Sequence, residues 1–314
     1  MSPGYQAIQD SAAWLDASCR GRIRVRGEDR LRLLHALASN VVESLRPCQG
    51  TETFFLSPQG RIQAYARVYV AEDNVLLDCD PERRQALVDY LNGYIIMDDV
   101  ELDDVTESTA AWALAGPGAA EIAVKATGFA LSLEPPNQHG ESDGLRVFGS
   151  SLVGGPGVWI AAAAERSSEV TERIESAGAV AATEDDFRLA RVENGAPRLG
   201  EDYFATNIPH ETGLFRAVSF NKGCYVGQEI VERVETQGQV QRRLAWLEID
   251  AAELPPTNEL KQEGRTLGEL TSAVYSPRRD KVLGFALLRR EAAEPDASLS
   301  VGGVPARTLD FPRG

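Results

Sequence analysis

Lys222-Gly223-Cys224-Tyr225-Val226-Gly227-Gln228-Glu229 places a lysine, a cysteine and two glycines within eight residues. Lysine is scarce in this chain, with only four against many arginines, so Lys222 is not a sample of a lysine-rich surface. If the stretch is extended, positions two apart point to the same side, and an ammonium at Lys222 would favour thiolate over thiol at Cys224. Gly223 and Gly227 admit positive φ and close approach to a ligand, as a binding loop requires. Gln228 and Glu229 add polar groups at the exit of the loop. The same residues also read as a turn holding a small buried cysteine, since most free cysteines are buried and inert. Residue chemistry alone leaves both readings open.

Upstream of this stretch the chain alternates strand and helix. Arg22-Ile23-Arg24-Val25-Arg26 alternates as a half-buried strand does, and Leu31, Leu34, Leu37 and Val41 follow at helical spacing. From Ile62 to Val70 the alternation is clean, with Ile62, Ala64, Ala66, Val68 and Val70 on one face. Val75-Leu76-Leu77 reads as a strand, and Asp80-Pro81 as the N-cap and first position of a helix carrying Leu87, Val88 and Leu91. Ala111 to Ala115 leads through Gly116-Pro117-Gly118 into a helix that Gly128 can end. Pro135 to Gly140 reads as an exposed loop. Val158-Trp159-Ile160 precedes a helix capped near Ser168 and ending at Gly178, and another helix starts near Thr183.

Downstream of Val240 the texture changes to short apolar strands between turns: Leu244–Leu247, Leu267–Leu270, Val282–Phe285 and a last one near Val301–Val304. That spacing predicts a small all-β barrel or sandwich. Two domains follow, residues 1–240 and 241–314, in a chain of 314 residues that is long enough to bury a large core.

The formal charge of −15 opposes a phosphate backbone as partner, because nucleic-acid affinity depends on Lys and Arg neutralising phosphates, so no nucleic acid is expected. No apolar run approaches the roughly 20 residues of a membrane span, and no membrane partner is expected. The N-terminal segment lacks the basic start and apolar run of a secretory signal, which points to the cytoplasm. Cysteines 19, 48, 79 and 224 show no paired metal-ligand spacing, so no metal is expected. His210 beside Glu211 could act as acid or base or as a structural hydrogen-bonder, while His35 falls on an apolar helix and His139 in the turn-rich loop.

The Lys222–Glu229 stretch followed by Arg233 resembles the signature of the YgfZ-type folate-binding family, relatives of the glycine-cleavage T protein that support iron–sulfur enzymes. Gly27-Glu28-Asp29-Arg30, Ser57-Pro58-Gln59-Gly60-Arg61-Ile62, Arg191-Val192-Glu193-Asn194-Gly195 and Ile208-Pro209-His210-Glu211 resemble further landmarks in the expected order, over about residues 20 to 290. The resemblance implies an α+β class: T-protein-like interleaved subdomains around a central folate opening, plus a C-terminal β-barrel.

It also implies a tetrahydrofolate-binding accessory protein for assembly or repair of iron–sulfur enzymes, with those enzymes or assembly proteins as partners. Glu193 matches the acidic group that holds the pterin ring, where a carboxylate can accept two parallel hydrogen bonds. Tyr225, Gln228, Glu229 and Arg233 are the further folate candidates, with Arg242 and Arg243 flanking, and Cys224 with Lys222 the catalytic ones. One cysteine cannot complete the four-ligand shell of an ordinary cluster, so Cys224 would act transiently, with a partner, or in redox chemistry. The alternative is a folate-dependent aminomethyltransferase of T-protein type. In that class a catalytic aspartate follows the strand equivalent to Val75–Leu77, and here Gln85 takes its place, which cannot supply the carboxylate.

Overall fold

The structure is a computed structural model that describes residues 1–132, 134–238, 240–294 and 297–311. The alternating stretch forms a strand, Ile62–Val70, whose burial is continuous from Ala66 onward because both of its faces are covered. It belongs to a five-stranded antiparallel sheet ordered Gly50–Leu56, Ile62–Val70, Val75–Cys79, Gly21–Arg26, Glu101–Asp104. Ala64, Ala66, Val68, Ile23, Val25 and Leu77 face helices Arg30–Leu37 and Arg84–Asn92, which contribute Leu34, Leu37, Leu87 and Leu91 to one core. Truncating a fully buried member such as Leu34 to alanine would cost about 2–5 kcal/mol.

A second sheet covers the opposite face. Its order is Val180–Ala181, Ala13–Asp16, Thr109–Ala115, Gly157–Ala163, Leu145–Phe148, His139–Ser142, antiparallel except for the first pair. Because Ala13–Asp16 precedes every strand of the first sheet, the two sheets are interleaved in sequence. Between them Tyr69 and Leu76 meet Phe148 and Trp159, whose rings stack at 3.8 Å. The outer face of the second sheet packs on helices Ala119–Thr127 and Ser167–Ser176.

The barrel expected downstream is present. Six strands close in the order Arg242–Ile249, Lys281–Arg289, Arg265–Ser276, Glu259–Gln262, Ser298–Val301, Val304–Leu309. Alternation sends Ala245, Leu247, Ile249, Val282, Ala286 and Leu288 inward, while Leu244, Trp246, Leu283 and Phe285 pack outward on Val192, Leu199, Tyr203 and Tyr225. That outward layer seats the barrel against the preceding α+β region.

Three local expectations are corrected. Asp80 and Pro81 do take the N-cap and first positions, but of a 3-10 turn at Pro81–Arg83 that leads into the helix, and the Asp80 carboxylate pairs with Arg20 at 2.8 Å instead of capping. The turn-rich segment is not exposed throughout, since Asn137 and His139 are buried and His139 opens an edge strand. The arginines of Gly21–Arg26 do not all meet solvent, because the second sheet covers that face and leaves Arg22 only 1% exposed.

Candidate functional site

Glu193 ends helix Glu184–Glu193, which starts from a reciprocal cap between Thr183 and Asp186 and buries Phe187, Ala190 and Val192. The same helix face carries the Glu193 carboxylate inward, and burying a carboxylate is costly unless donors meet it. Tyr5 donates its hydroxyl to both oxygens at 2.8 and 2.9 Å, Ser276 donates to Oε1, and Gln9 donates from Nε2 to Oε2 at 3.3 Å. Burial, together with this carboxylate, pushes the Tyr5 phenol well above its usual range, so Tyr5 stays a donor. Tyr5 and Gln9 belong to helix Pro3–Asp10, capped by Ser2 with Pro3 at its first position, and Ser276 ends the barrel strand Arg265–Ser276.

Glu193 lines a cavity of about 280 Å³ with Trp246, Arg278, Arg279, Asn194 and Gly154. Trp246 donates its ring N–H to the Val192 carbonyl at 2.9 Å, and the Arg279 guanidinium lies 5.2 Å from the Trp246 ring centre. The cavity thus has a buried acceptor, a fixed aromatic wall and two guanidinium groups.

The Lys222–Glu229 stretch lies elsewhere. Tyr225, Gln228, Glu229 and Arg233, as well as Lys222 and Cys224, do not line the Glu193 cavity. The Lys222 ammonium donates to the carbonyls of His35, Ala38 and Asn40 at 2.5, 2.6 and 3.1 Å. These lie in and just beyond the last turn of helix Arg30–Leu37, where carbonyls lack intrahelical partners and the helix dipole favours a cation. Burial pulls the Lys222 pKa down to about 8, and its Nζ sits 5.0 Å from the Tyr225 ring centre. Among the described residues none of these contacts is with Cys224, which is exposed in an irregular segment. The ammonium therefore fastens the loop to the helix end.

Gly227 has φ +84°, and a Cβ there would sit 2.6 Å from the Ser57 carbonyl oxygen, so both conformation and space demand glycine. It starts helix Gln228–Gln237, and Gln228 accepts from the Tyr225 N–H at 3.1 Å, closing the loop on itself. Tyr225 is buried in the layer beneath the barrel. Glu229 and Arg233 are exposed on that helix, one turn apart.

The histidines separate by partner. His210 is buried between Phe215 and Phe220, with Nε2 3.1 Å from Glu235 and burial lowering its pKa. His35 Nδ1 accepts from the Val42 N–H at 3.2 Å, and His139 Nε2 donates to the Val70 carbonyl at 2.8 Å. Gln85 is exposed on helix Arg84–Asn92 and gives its amide to Asp89 at 2.8 Å. Arg242 and Arg243 start the first barrel strand, away from the Glu193 cavity. Among the described residues no group of three or more His, Cys, Asp or Glu is placed to hold a metal ion, and no helix is long and apolar enough to cross a membrane.

Tyr5 and Ser276 were missed from sequence because they come from opposite ends of the chain. The Ser2-Pro3 pair, an N-cap followed by proline at the first helical position, was the available signal for the helix that carries Tyr5.

Comparison with known proteins agrees with this architecture. Residues 3–222 match the GCVT N-terminal domain and residues 242–311 the glycine cleavage T-protein C-terminal barrel domain. A chloroplast protein of Arabidopsis thaliana, provisionally named a transferase, is 30% identical over 301 residues, 94% of this chain and 69% of its own length. The aminomethyltransferase of Geobacillus kaustophilus is 28% identical over 92% of this chain and 82% of its own. An iron–sulfur cluster assembly factor IBA57 homolog of Mycosarcoma maydis is 29% identical over 80% of this chain and 61% of its own. In fold, the crystal structure of the glycine cleavage system aminomethyltransferase T from Bartonella henselae superposes with a TM-score of 0.88 over 98% of this chain and 88% of that one, at 18% identity.

Proposed function

Because the chain belongs to the glycine-cleavage T-protein family, we propose that it binds tetrahydrofolate or a close derivative and serves, in the manner of the YgfZ type, as an accessory protein for assembly or repair of iron–sulfur enzymes. The observation that carries the folate reading is the buried Glu193 carboxylate on the wall of the Trp246 cavity. A carboxylate offers about four lone-pair positions, and three donors meet it in four contacts, the single Tyr5 proton being shared between the two oxygens while Ser276 and Gln9 take one oxygen each. Gln9 makes the longest of these contacts, so a ring edge with two N–H donors fits when Gln9 yields and the Tyr5 proton settles on one oxygen. At about 280 Å³ the cavity suits the ring system, and the rest of the ligand would extend outward.

In this reading Glu193 accepts the ring N–H groups, Tyr5 and Ser276 hold the carboxylate in place, and Trp246 provides the apolar wall. Bound folate supplies a carrier for one-carbon units. Residues 1–240 form the folate-binding region and 241–314 the barrel that closes it, and the protein works in the cytoplasm. Exposed Cys224, with Glu229 and Arg233 on the following helix, faces the partner, an iron–sulfur enzyme or assembly protein. The assembly role draws support from the IBA57 homolog among the relatives.

A second reading, aminomethyl transfer, is favoured by the several relatives named aminomethyltransferase. The exposed, Asp89-bound Gln85 in place of the catalytic aspartate weighs against it. A tetrahydrofolate titration run beside an aminomethyl-transfer assay decides between the two. Binding without transfer supports the accessory role, enzyme-like transfer supports the second reading, and no binding at millimolar folate rejects both.

A further inference from the structure

The arginine face of strand Gly21–Arg26 has no part in the Glu193 site, yet the second sheet covers its Arg22 end. Residues of the two sheets and their connections line a half-open cavity of about 390 Å³. Arg22 and Arg24 come from the first sheet and Arg146, on strand Leu145–Phe148, from the second. The floor is apolar, formed by Leu76, Val105 and Ala161.

The charges here are unevenly matched. Arg22 is 1% exposed and spends its guanidinium on neutral oxygens, including those of Thr106, Thr109 and Ser18. Among the described residues it has no carboxylate within ion-pair distance, which is an unusual way to bury a charge. Arg24 shares Asp103 with Arg26. Arg146 has a side chain only 19% exposed and makes no hydrogen bond among the described residues; Glu141, the one carboxylate among the cavity's lining residues, pairs with it loosely at 3.9 Å from a 58% exposed position. The Arg146 guanidinium instead lies 5.5 Å from the Phe148 ring centre. Asn74 adds a buried Oδ1 that receives no donor from the described residues.

We propose that this cavity is a binding site for a small organic monoanion: a carboxylate on a compact apolar body, its charge on Arg146 in the field of Arg22 and its body on Leu76, Val105 and Ala161. A planar guanidinium with free N–H groups matches a carboxylate in a bidentate way, and the cavity volume lies within the roughly 300–1,000 Å³ of small-molecule sites. The acceptor of Asn74 favours a ligand that also carries a hydroxyl. This assignment stands independently of the folate reading, since the two cavities share no residue.

The test is calorimetric titration of the full chain with benzoate, 4-hydroxybenzoate, uncharged benzamide and inorganic phosphate. The expected result is saturable binding of benzoate, tighter binding of 4-hydroxybenzoate and none of benzamide, up to about 20 mM. Arg146→Gln should weaken benzoate by about tenfold or more, the scale of a charged hydrogen bond. Ser108 lines the cavity from an exposed position, so Ser108→Glu puts a repelling carboxylate at its mouth without touching the core, and should abolish binding at an unchanged melting temperature. Phosphate binding as tightly as benzoate would overturn the apolar half of the assignment. Absence of benzoate binding, or binding indifferent to both variants, would overturn it entirely.

Discussion

Tyr5, in the first helix, donates its hydroxyl to both carboxylate oxygens of Glu193, at 2.8 and 2.9 Å across 188 residues of sequence. Removing one member of a buried donor–carboxylate set leaves the other without its partner, and this sets the expectation for the site.

Glu193→Ala should weaken tetrahydrofolate binding by at least ~1.5 kcal/mol, through loss of charged hydrogen bonds. Tyr5→Phe should weaken it less, because Ser276 still donates to the carboxylate. Both are read by titration, and equal affinities for wild type and Glu193→Ala would remove Glu193 from the site.

Lys222 and Cys224, two residues apart, should respond oppositely to substitution. Lys222→Ala removes the donor that three carbonyls share and should lower the melting temperature, by about 1–3 kcal/mol of stability. Cys224→Ser changes an exposed side chain and should leave melting nearly unchanged, yet fail to restore iron–sulfur enzyme activity in cells lacking the protein. Full complementation by Cys224→Ser would end its functional assignment.

Alkylation with limiting reagent, read by peptide mass, should label Cys224 first and Cys79 last. Cys79 is buried, and burial pushes its thiol up to about 12, so it offers little thiolate. Cys19 and Cys48 are exposed as well, so labelling of either ahead of Cys224 would end the special reactivity assigned to Cys224.

His139 should make stability fall in mild acid. Burial, with the nearby Arg146, lowers its pKa from 6.5 to about 4, so the unfolded chain binds more protons than the folded one between those values. The contribution is fully present above pH 6.5 and declines as pH falls toward about 4. His139→Gln should flatten that part of the melting-temperature profile, whereas an unchanged slope would assign the acid sensitivity to other groups.

Much of the architecture could be read in the chain. The period-two pattern of Ile62–Val70 and the turn-separated apolar runs after Val240 are local signals, and both formed as expected. Interleaving carries no local signal: Ala13–Asp16 pairs with Thr109–Ala115 and with Val180–Ala181, partners chosen by long-range packing. For the same reason the alternation of Gly21–Arg26 correctly gave a strand but not the sheet that covers its arginines. At the site, Glu193 was picked out by resemblance, and the donors that justify a buried carboxylate come from residues 5 and 276. Lys222 stands out in the sequence as one of four lysines, but its direction, toward helix carbonyls and not Cys224, depends on where helix Arg30–Leu37 ends, which no spacing within the motif encodes.

The Glu193 clasp has a temporal consequence. Ser276 follows Glu193 by 83 residues, so during synthesis the carboxylate emerges while still short of one hydroxyl and without its Trp246 wall. A ribosome-bound or prematurely terminated product would present an unfinished pocket, and capture of the ring would begin only after the hairpin following Ser276 had left the tunnel. Competence to bind would then report that the barrel strand bearing Ser276 has been made and docked.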